Sequence, residues 1–549
     1  MKKILLILFG LLFVSGAYSA QIANVEYVHK MIEQTWDITV PYNSALNSVK
    51  QIANMKYLLS TIDVANHMLN GSATTDYGNG EFATLQVANT DTVNTAVETL
   101  IVGDGTTERN YKFFITTTSN TTSFGFYISA AGEFYVDWGD GTRNKITRTN
   151  TQNLEYSHNY STAGTYTIKI GGKATAYNTF SNIAAISFYV NSSQTKIASI
   201  DGSLGAIFGT LPDATEKQPR FYQTFYGAYD MTGSIPSDLF AGISGAPASF
   251  MFYGTFRGCS GLTSIPDGLF GNLTGAPAWG MFQETFYGCS GLTSIPSDLF
   301  AGISGAPASY MFDSTFYYCS RLTGAIPAGL FGNLSGAPAE RMFNSTFNGC
   351  SGLTGAIPDG LFGNLTGVPA DSMFSDTFLG CSGLTSIPSD LFAGISGAPA
   401  GSMFSDTFAG CSGLTSIPSD LVAGISGAPA SYMFYGTFRG CSGLTGAIPD
   451  GLFGNLTGAP ASYMFNSTFY GCSGLTSIPE NLFGNISGTA QDYMFSRTFY
   501  NCTSLTGPSA RINGQYLYEI WPDATYQFND MYYNATGLSD YSAMPTVWK

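Results

Sequence analysis

The spacing of the cysteines is the feature that most limits how this chain can fold. The sequence has nine cysteines, and successive ones are separated by 30 or 31 residues. A further copy of the surrounding motif carries Ala228 in the cysteine position, and a degenerate last copy carries Ala535. A fixed period of this kind predicts a solenoid, here of about 11 coils, whose terminal repeats depart from the pattern because they meet solvent. The cysteines are Cys259, Cys289, Cys319, Cys350, Cys381, Cys411, Cys441, Cys472 and Cys502.

One repeat shows the local structure that we expect. In ASFMFYGTFRGC, Met251 and the residues one, four, five and eight positions later would share one face of a short helix, which Gly258 helps to end. The run from Leu262 to Ile265 predicts a short strand, because Pro266 stops it. Helical spacing returns after this proline, and a Gly-Ala-Pro corner turns the chain back. Each unit is therefore predicted to combine a strand with helical segments.

The intervals of 31 residues have a local explanation. Each follows a copy with one extra residue in the strand, as in Leu322-Thr-Gly-Ala-Ile326 compared with Leu292-Thr-Ser-Ile295. A β-bulge at this position would keep both apolar side chains inward. The glycine allows the backbone conformation that such a bulge needs.

The N-terminal region predicts export. The first residues, MKKILLILFGLLFVSGAYSA, place two lysines before an apolar run and end in small residues. This pattern predicts a signal peptide over 1–20, so we expect the protein at the cell surface or outside the cell. Apolar spacing over 21–80 predicts helices, either a helical hairpin or a short coiled coil through which the protein forms a homo-oligomer. The polar stretch 81–109 is predicted to be a linker.

Charge and composition exclude one class of partner. The net charge is −15, and loss of Lys2 and Lys3 with the signal (−15 minus 2) makes it −17. Such a chain lacks the cationic surface that nucleic-acid binding needs. No segment after the signal is long and apolar enough to span a bilayer. Charged residues are 11% of the sequence, which suits an extracellular solenoid covered by Ser, Thr, Asn, Tyr and Gly.

Residues 110–176 have the pattern of a β-domain. Lys112–Thr116 and Ser123–Ile128 are predicted strands, and Asp140-Gly141 in EFYVDWGDGT predicts a tight turn between strands. The segment resembles a PKD domain, an immunoglobulin-like β-sandwich, through Trp138, Gly139, Asp140, Gly141, His158, Tyr160, Gly164 and Tyr166. The resemblance implies a spacer or binding module in which Trp138, Asp140, Gly141 and Tyr166 are structural.

The repeats share the pattern F-x-x-C-x-x-L-x-x-I-P-x-x-L-F. In one copy the matching residues are Phe256, Cys259, Leu262, Ile265, Pro266, Leu269 and Phe270. Through this pattern the repeats resemble a second family, the BspA-like leucine-rich repeats of bacterial surface proteins. The resemblance covers about 221–506 and implies a leucine-rich-repeat horseshoe that adheres to host proteins or other cells. The period is longer than the roughly 20 to 29 residues usual for leucine-rich repeats, so the curvature is expected to differ.

These patterns together predict an α/β solenoid preceded by an immunoglobulin-like β-sandwich and a helical N-terminal region. The predicted boundaries are 1–20 for the signal peptide, 21–80 for the helical region, 81–109 for the linker, 110–176 for the PKD-like sandwich, 177–220 for the N-terminal cap of the solenoid, 221–506 for the solenoid, and 507–549 for a degenerate repeat with the C-terminal cap.

Catalysis and metal binding are not predicted. One cysteine per coil gives a ladder of equivalent environments without zinc-ligand spacing, so we interpret the cysteines as packed, mainly free thiols. The solenoid has no histidine that could activate a nucleophile, and His158 is interpreted as a strand residue. Asp137 and Asp140 are candidates for calcium, although a turn role is favoured for Asp140. We therefore predict no enzyme activity and no cofactor.

Ligand binding is predicted at positions that vary between copies. Positions equivalent to 253, 254 and 257 differ from coil to coil, whereas the MF, TF and IP positions scarcely change. Tyrosine and arginine are common interface anchors, although drift of exposed positions is the alternative explanation. The repeated Thr-Ser or Thr-Gly-Ala of the strand is a second, uniform surface that would suit a repetitive glycan. The candidate ligand-binding residues are Tyr253, Arg257, Trp279, Tyr287, Tyr310, Tyr317, Tyr318, Tyr435, Arg439, Tyr470 and Arg497.

The leading functional hypothesis is an exported bacterial surface adhesin or interaction protein. Its partner would be a host or bacterial surface protein, a cell or a glycan. The alternatives are a structural surface or matrix protein without a specific ligand, and a polysaccharide-binding or polysaccharide-active protein. Substitution of varied residues such as Tyr253, Arg257, Trp279 and Tyr318 distinguishes the adhesin from the structural protein, because only an adhesin would lose a specific interaction while it stays folded. The enzyme hypothesis fails if no glycan is turned over, or if no substitution of an acidic residue alters the turnover.

Overall fold

The computed structural model describes residues 111–549, which form an antiparallel β-sandwich followed by a β-solenoid. The predicted signal peptide, helical region, coiled-coil oligomerisation and linker all fall on residues 1–110, outside the described residues. The structure therefore bears on the sandwich and on the repeats.

Eight strands between residues 111 and 202 build the sandwich. They are β1 Tyr111–Thr117, β2 Thr121–Ile128, β3 Ala131–Asp137, β4 Arg143–Arg148, β5 Leu154–Gly164, β6 Thr167–Ala176, β7 Ile186–Ser187 and β8 Ile197–Gly202. The five-stranded sheet has the order β4-β3-β6-β1-β8, and the three-stranded sheet has the order β5-β2-β7. The predicted strands at Lys112–Thr116 and Ser123–Ile128 lie within β1 and β2, so both are confirmed.

Aromatic side chains pack between the two sheets. Phe126 of β2 stacks on Trp138 at the end of β3, with 5.7 Å between ring centroids. The turn predicted at Asp140-Gly141 joins β3 to β4 and is closed by a hydrogen bond from the Trp138 amide to the Thr142 carbonyl at 3.0 Å.

Strands β7 and β8 lie in the stretch predicted as the solenoid cap, yet they pair with β2 and β1. The sandwich therefore draws on residues beyond 176.

The segment predicted as the first helix of each repeat is instead a ribbon of successive turns. The Thr255 amide donates to the Phe252 carbonyl of its own coil at 3.2 Å, whereas the next amide, of Phe256, donates to Thr285 of the following coil at 2.9 Å. An α-helix needs consecutive amides to bond within the segment, so the helix prediction is wrong. Among the described residues, α-helix occurs only at Leu517–Ile520, which we name α1. The class is a β-solenoid rather than an α/β solenoid.

A four-residue period explains both the ribbon and the mistaken helix. Positive φ recurs at every fourth residue, as at Phe250, Gly254 and Gly258. Two inward residues alternate with two outward residues, and the inward pairs Met251-Phe252 and Thr255-Phe256 are fully buried. Apolar residues at i, i+1, i+4 and i+5 fit this ribbon as well as they fit a helix face, so their spacing does not distinguish the two.

Phenylalanine ladders run through the core along the stack. Phe252 stacks on Phe282 of the next coil with centroids 5.7 Å apart, and the same contact recurs from coil to coil. A second ladder is built from the phenylalanines of the TF motif, such as Phe256. A third, from the phenylalanines that follow the proline, is interrupted by Val422. Each coil buries its rings against its neighbours, as a solenoid requires.

Short parallel strands line the other sides of the stack. Register shifts follow Gly355 and Gly446 in Thr-Gly-Ala copies, so the predicted bulges at these two copies are confirmed. The strands are β9 Gly233–Ser234, β10 Leu262–Ser264, β11 Ser335–Gly336, β12 Thr354–Ala356, β13 Asn364–Leu365, β14 Gly383–Ser386, β15 Thr445–Ala447, β16 Thr457–Gly458, β17 Gly474–Ser477 and β18 Asn485–Ile486.

The sandwich provides the surface on which the first coil stacks. The Ala185 amide donates to the Arg220 carbonyl at 2.8 Å, and the Phe188 amide donates to the Thr224 carbonyl at 2.9 Å. These bonds continue the pattern that joins one coil to the next. The Phe188 ring stacks on Phe225 with centroids 5.3 Å apart, so the cores of the sandwich and the solenoid are continuous.

The chain's last residues close the other end of the stack. The amides of Asp530 and Tyr532 donate to the carbonyls of Val547 and Trp548 at 2.9 and 2.8 Å. Trp548 is fully buried and stacks on Phe528 at 3.9 Å between centroids. The elements of this region are β19 Arg511–Ile512, β20 Gln515–Tyr516, α1 Leu517–Ile520 and three 3₁₀ turns at Tyr526–Phe528, Tyr541–Ala543 and Thr546–Trp548.

Candidate interaction surface

The outward residues of the turn ribbons form what we call the turn-side surface. In one coil they are the pairs Ser249-Phe250, Tyr253-Gly254 and Arg257-Gly258, and equivalent pairs follow in each later coil. All of the predicted ligand-binding residues occupy such positions. The ribbon therefore brings them to one side of the solenoid, although they are spread from 253 to 497 in the sequence.

The second residue of each outward pair has a left-handed backbone. Examples are Gly254, Glu284 and Tyr318, with φ values of 54°, 56° and 55°. This conformation costs an L-residue about 1–2 kcal/mol and is natural for glycine. The constraint explains why glycine recurs at these positions, whereas the serines and tyrosines that occupy several of them adopt the conformation less readily. Sequence reasoning missed it, although the glycine that precedes most of the cysteines was a signal.

Arginine and tyrosine interleave in the first part of this surface. The Arg257 guanidinium lies over the Tyr287 ring at 4.3 Å and over the Tyr226 ring at 5.5 Å. Arg257 also pairs with Glu284 of the next coil. Tyr287 in turn stacks on Tyr317 with centroids 4.5 Å apart. Cation–π contacts and ring stacking hold these side chains in fixed positions.

The most exposed rings of the first part lie beside this group. Trp279 contacts Phe250 and Tyr310 at 4.3 and 5.0 Å between centroids, and 41% of its surface remains exposed. Tyr318 is 54% exposed. Tyr253 is less accessible, because its ring stacks on Tyr222 at 4.7 Å. Among the predicted aromatic residues, Trp279 and Tyr318 therefore have most surface to offer a partner.

A second cluster lies in the later coils. Arg439 pairs with Asp406 at 2.8 Å, and Arg497 pairs with Asp530 at 3.5 Å. Tyr470 stacks on Tyr500 of the next coil at 4.6 Å. The predicted Tyr435 is half-buried here as well.

Sequence reasoning missed a tyrosine ladder in this cluster. Tyr432, Tyr463 and Tyr493 stack in order, with centroids 4.5 and 5.0 Å apart. Each stands directly before a Met-Phe pair, the position that the predicted Tyr310 occupies in an earlier coil. The repeated letters YMF were the signal that could have found them.

Short polar side chains separate the two clusters. They include Ser375, Asp376, Ser405 and Asp406. Burial raises the pKa of Asp406 to about 6, although the Arg439 guanidinium acts in the opposite direction. Burial likewise raises the pKa of Asp376. This stretch of the turn-side surface therefore holds carboxyl groups that ionise less readily than usual.

The cysteines lie in the core beneath this surface, as free thiols with no exposed surface. Each thiol donates a hydrogen bond to a phenylalanine carbonyl of the preceding coil, as Cys289 does to Phe256 at 3.0 Å. Burial raises the pKa of these thiols, to about 12 for Cys381. A thiol with such a pKa is a poor nucleophile, which fits the interpretation of packed residues.

The Asp140-Gly141 turn also reaches a neighbouring strand. Asp140 accepts a hydrogen bond from the Thr142 amide at 2.9 Å and lies 2.7 Å from His158 Nε2 of β5. Burial alone would raise the pKa of the Asp140 carboxyl, but these hydrogen bonds lower it overall. Gly141 has a φ of 93°, which favours glycine. These residues hold the turn together.

Trp138 and Tyr166 pack at the same end of the sandwich. Trp138 is buried, and its carbonyl accepts a hydrogen bond from the Tyr160 hydroxyl at 2.9 Å. Tyr166 stacks on Tyr160 with centroids 3.6 Å apart. Asp137, considered above for calcium, pairs with Arg143 at 2.8 Å.

Within residues 111–549, no three His, Cys, Asp or Glu side chains are grouped so that they could hold a metal ion. In the same part of the chain, no helix has the length and apolar character needed to cross a membrane.

Comparison of the sequence and structure with protein families, curated proteins and solved structures found no match.

Proposed function

We propose that this protein is an exported surface protein that binds a partner through its turn-side surface. The observation that carries the proposal is Tyr318, whose backbone is left-handed at a position where most copies have glycine. This conformation costs an L-residue about 1–2 kcal/mol, and a ring that is 54% exposed recovers little of that cost through burial. Residues that cost stability in this way are concentrated at binding sites.

The surface chemistry favours a protein partner over a glycan. Arginine and large aromatic residues dominate protein-binding hot spots, and Arg257, Trp279 and Tyr318 all lie on the turn-side surface. A sugar ring stacks on an open aromatic face. Tyr500 instead has both faces covered, by Tyr470 and Tyr533 at 4.6 and 4.5 Å. Such ladders offer edges and hydroxyl groups, which suit hydrogen bonds to a protein surface.

The bacterial, exported and cell-surface character of the protein is part of the same proposal. Its support is the signal-like N-terminus, the BspA-like repeat motif and the PKD-like motif around Trp138. In this proposal the immunoglobulin-like sandwich is a spacer that carries a leucine-rich-repeat type of solenoid. The partner is then a protein on a host cell or on another bacterium.

Binding of the purified chain to extracellular-matrix proteins, mammalian cells and a glycan panel tests the proposal. The test variant replaces Tyr253, Arg257, Trp279 and Tyr318 by serine. The matched control replaces exposed threonines on the strand side, Thr263, Thr293 and Thr323, by serine. We expect saturable binding to a protein that weakens at least about tenfold, or about 1.4 kcal/mol, in the first variant and persists in the second.

Other results would contradict specific parts of the proposal. Loss of binding in the threonine variant alone would move the site to the strand side. Binding to a glycan alone would overturn the protein partner. A folded chain that binds nothing in the panel would favour a structural role in a surface layer. Unchanged thermal unfolding of both variants is the control for folding.

A further inference from the structure

We propose that the stacked tyrosines of adjacent coils are sites of dityrosine formation, which would join neighbouring coils covalently. The ladder Tyr470, Tyr500 and Tyr533 is the clearest case. Successive rings are 4.6 and 4.5 Å apart, and their planes differ by 1° and 14°. The phenol rings are thus at van der Waals distance in three consecutive coils. This inference does not depend on the proposed partner.

The same arrangement recurs elsewhere on the turn-side surface. Tyr432 stacks on Tyr463 with centroids 4.5 Å apart and planes 6° apart. In the first part of the solenoid, Tyr287 and Tyr317 are 4.5 Å apart with planes differing by 13°. The ribbon places equivalent residues of successive coils side by side, so a tyrosine repeated at one position always meets its copy. The contact is a consequence of the repeat and not of one local sequence.

The tyrosine ladders are also more accessible to solvent than the sulfur-containing residues. The sulfur-containing residues of the Cys-bearing coils, such as Met464 and Cys472, are fully buried. Oxidation of cysteine and methionine depends on access to the sulfur. In contrast, Tyr533 and Tyr432 are 40% and 39% exposed. A one-electron oxidant at the surface therefore meets phenols before it meets sulfur.

The reaction balances with a peroxide and a haem peroxidase as the oxidant. Each tyrosine loses one electron and its phenolic proton, which gives a radical with spin density on the ring carbons next to the oxygen. Two such carbons on neighbouring rings form one carbon–carbon bond. The hydrogen on each of these carbons then moves to the phenolic oxygen, and aromaticity returns. In sum, two tyrosines lose two hydrogens, and hydrogen peroxide takes them up to form two molecules of water.

Stacking favours this outcome over coupling between molecules. Two rings held in contact react as neighbours in one molecule, at an effective concentration far above that of a second chain in dilute solution. Face-to-face rings must turn so that the carbons next to the oxygen meet at their edges, and the partly exposed position of these side chains leaves room for that rotation. Each coupling would join residues about one coil apart.

Mapping of cross-links in the oxidised full-length chain tests the proposal. Dilute protein is treated with horseradish peroxidase and hydrogen peroxide, and dityrosine is followed by its fluorescence and by peptide mass spectrometry. We expect a monomer that loses two hydrogens per cross-link, with peptides joined between Tyr470 and Tyr500 or between Tyr500 and Tyr533. The variant Tyr500→Phe keeps an aromatic ring but breaks both pairs, so these joined peptides should disappear. The control Tyr229→Phe removes a 53% exposed tyrosine that stacks on no ring within residues 111–549.

The alternatives give distinct results. Cross-links that involve Tyr229, or that join two molecules at low protein concentration, would overturn the proposal. So would a total yield that falls as much in Tyr229→Phe as in Tyr500→Phe. An oxidised chain that contains sulfoxides but no dityrosine would also overturn it. An unchanged yield in Tyr229→Phe together with loss of the Tyr500 peptides is the result that we expect.

Discussion

At the scale of single residues, buried donors explain why certain positions scarcely change between copies. Thr407 Oγ1 donates to the Phe374 carbonyl of the preceding coil at 2.9 Å. The Cys411 thiol donates to the Phe378 carbonyl at 3.1 Å. The sequence indicated that the cysteine was packed, because it recurs once per coil. The partner of the threonine could not be predicted, since it depends on how two coils align.

Replacement of this threonine should weaken the stack. In Thr407→Val the buried hydroxyl and its hydrogen bond are lost, and we expect the free energy of unfolding to fall by about 1 kcal/mol. Thr415→Val is the matched control, because that side chain is exposed and its bond to the Thr385 carbonyl is long at 3.4 Å. Thermal or denaturant unfolding measures both. Equal effects of the two substitutions would contradict the role of the buried bond.

Asp313 should make stability depend on pH. Burial raises the pKa of its carboxyl from 3.8 to about 6, so the folded state binds a proton more tightly than the unfolded state. This residue therefore lowers the free energy of unfolding as pH rises from about 4 to about 6. The variant Asp313→Asn does not lose stability in this way. Its free energy of unfolding, relative to that of wild type, should therefore rise by up to about 3 kcal/mol from pH 4 to pH 7.

Denaturant unfolding at both pH values measures the effect of Asp313→Asn. Asp298→Asn, at an exposed position, is the control for the loss of one negative charge. If Asp313→Asn had the same advantage over wild type at pH 4 and at pH 7, the raised pKa would be contradicted.

At the scale of elements, the sequence predicted the strands and bulges but not the ribbons. Period two in Lys112–Thr116 and the extra residue near Gly355 each have one structural interpretation. The spacing of Met251-Phe252 and Thr255-Phe256 has two structural interpretations, because helices and period-four ribbons bury the same positions. Only the bonds between coils, such as that from Phe256 to Thr285, decide between them. The same ambiguity hid the left-handed positions that shape the turn-side surface.

The interrupted third ladder gives a prediction at this scale. Val422 occupies the position where the preceding coil has Phe392 and the following copy has Phe453. A phenylalanine there would restore ring stacking, so Val422→Phe should raise the free energy of unfolding by about 1 kcal/mol. The matched substitution Phe392→Val should lower it by at least about 1 kcal/mol, since it leaves a cavity. Loss of stability in Val422→Phe would show that neighbouring side chains already fill the space.

At the scale of the whole molecule, the stack is closed at both ends by the chain itself. Residues around Phe188 act as a preceding coil at one end, and Trp548 covers Phe528 at the other. Atypical terminal repeats were predicted from the positions of Ala228 and Ala535. Both closing segments lie in the predicted caps, 177–220 and 507–549. The contacts by which they close the stack could not be predicted, because neither Phe188 nor Trp548 belongs to the repeat motif. Each coil contacts only its neighbours, so damage at one end should remain local.

Removal of the terminal tryptophan tests this locality. Trp548→Ala should cost about 3–5 kcal/mol in the last coil, and hydrogen exchange at Asp530 and Tyr532 should accelerate. Amides of early coils, such as that of Phe256, should exchange at the wild-type rate. Trp279→Ala, at a 41% exposed position, is the control and should leave both regions unchanged. Faster exchange throughout the solenoid would contradict nearest-neighbour stacking.

Hydroxyl-radical footprinting of the bound protein shows whether the partner binds the turn side of the solenoid. Labelling of aromatic side chains is compared with and without the partner found in the binding panel. We predict slower labelling of Trp279, Tyr318 and Tyr432 in the complex, and unchanged labelling of Phe180, which is 66% exposed on the sandwich. Equal labelling of the turn-side residues in the free and bound protein, with protection of Phe180 instead, would contradict the claim.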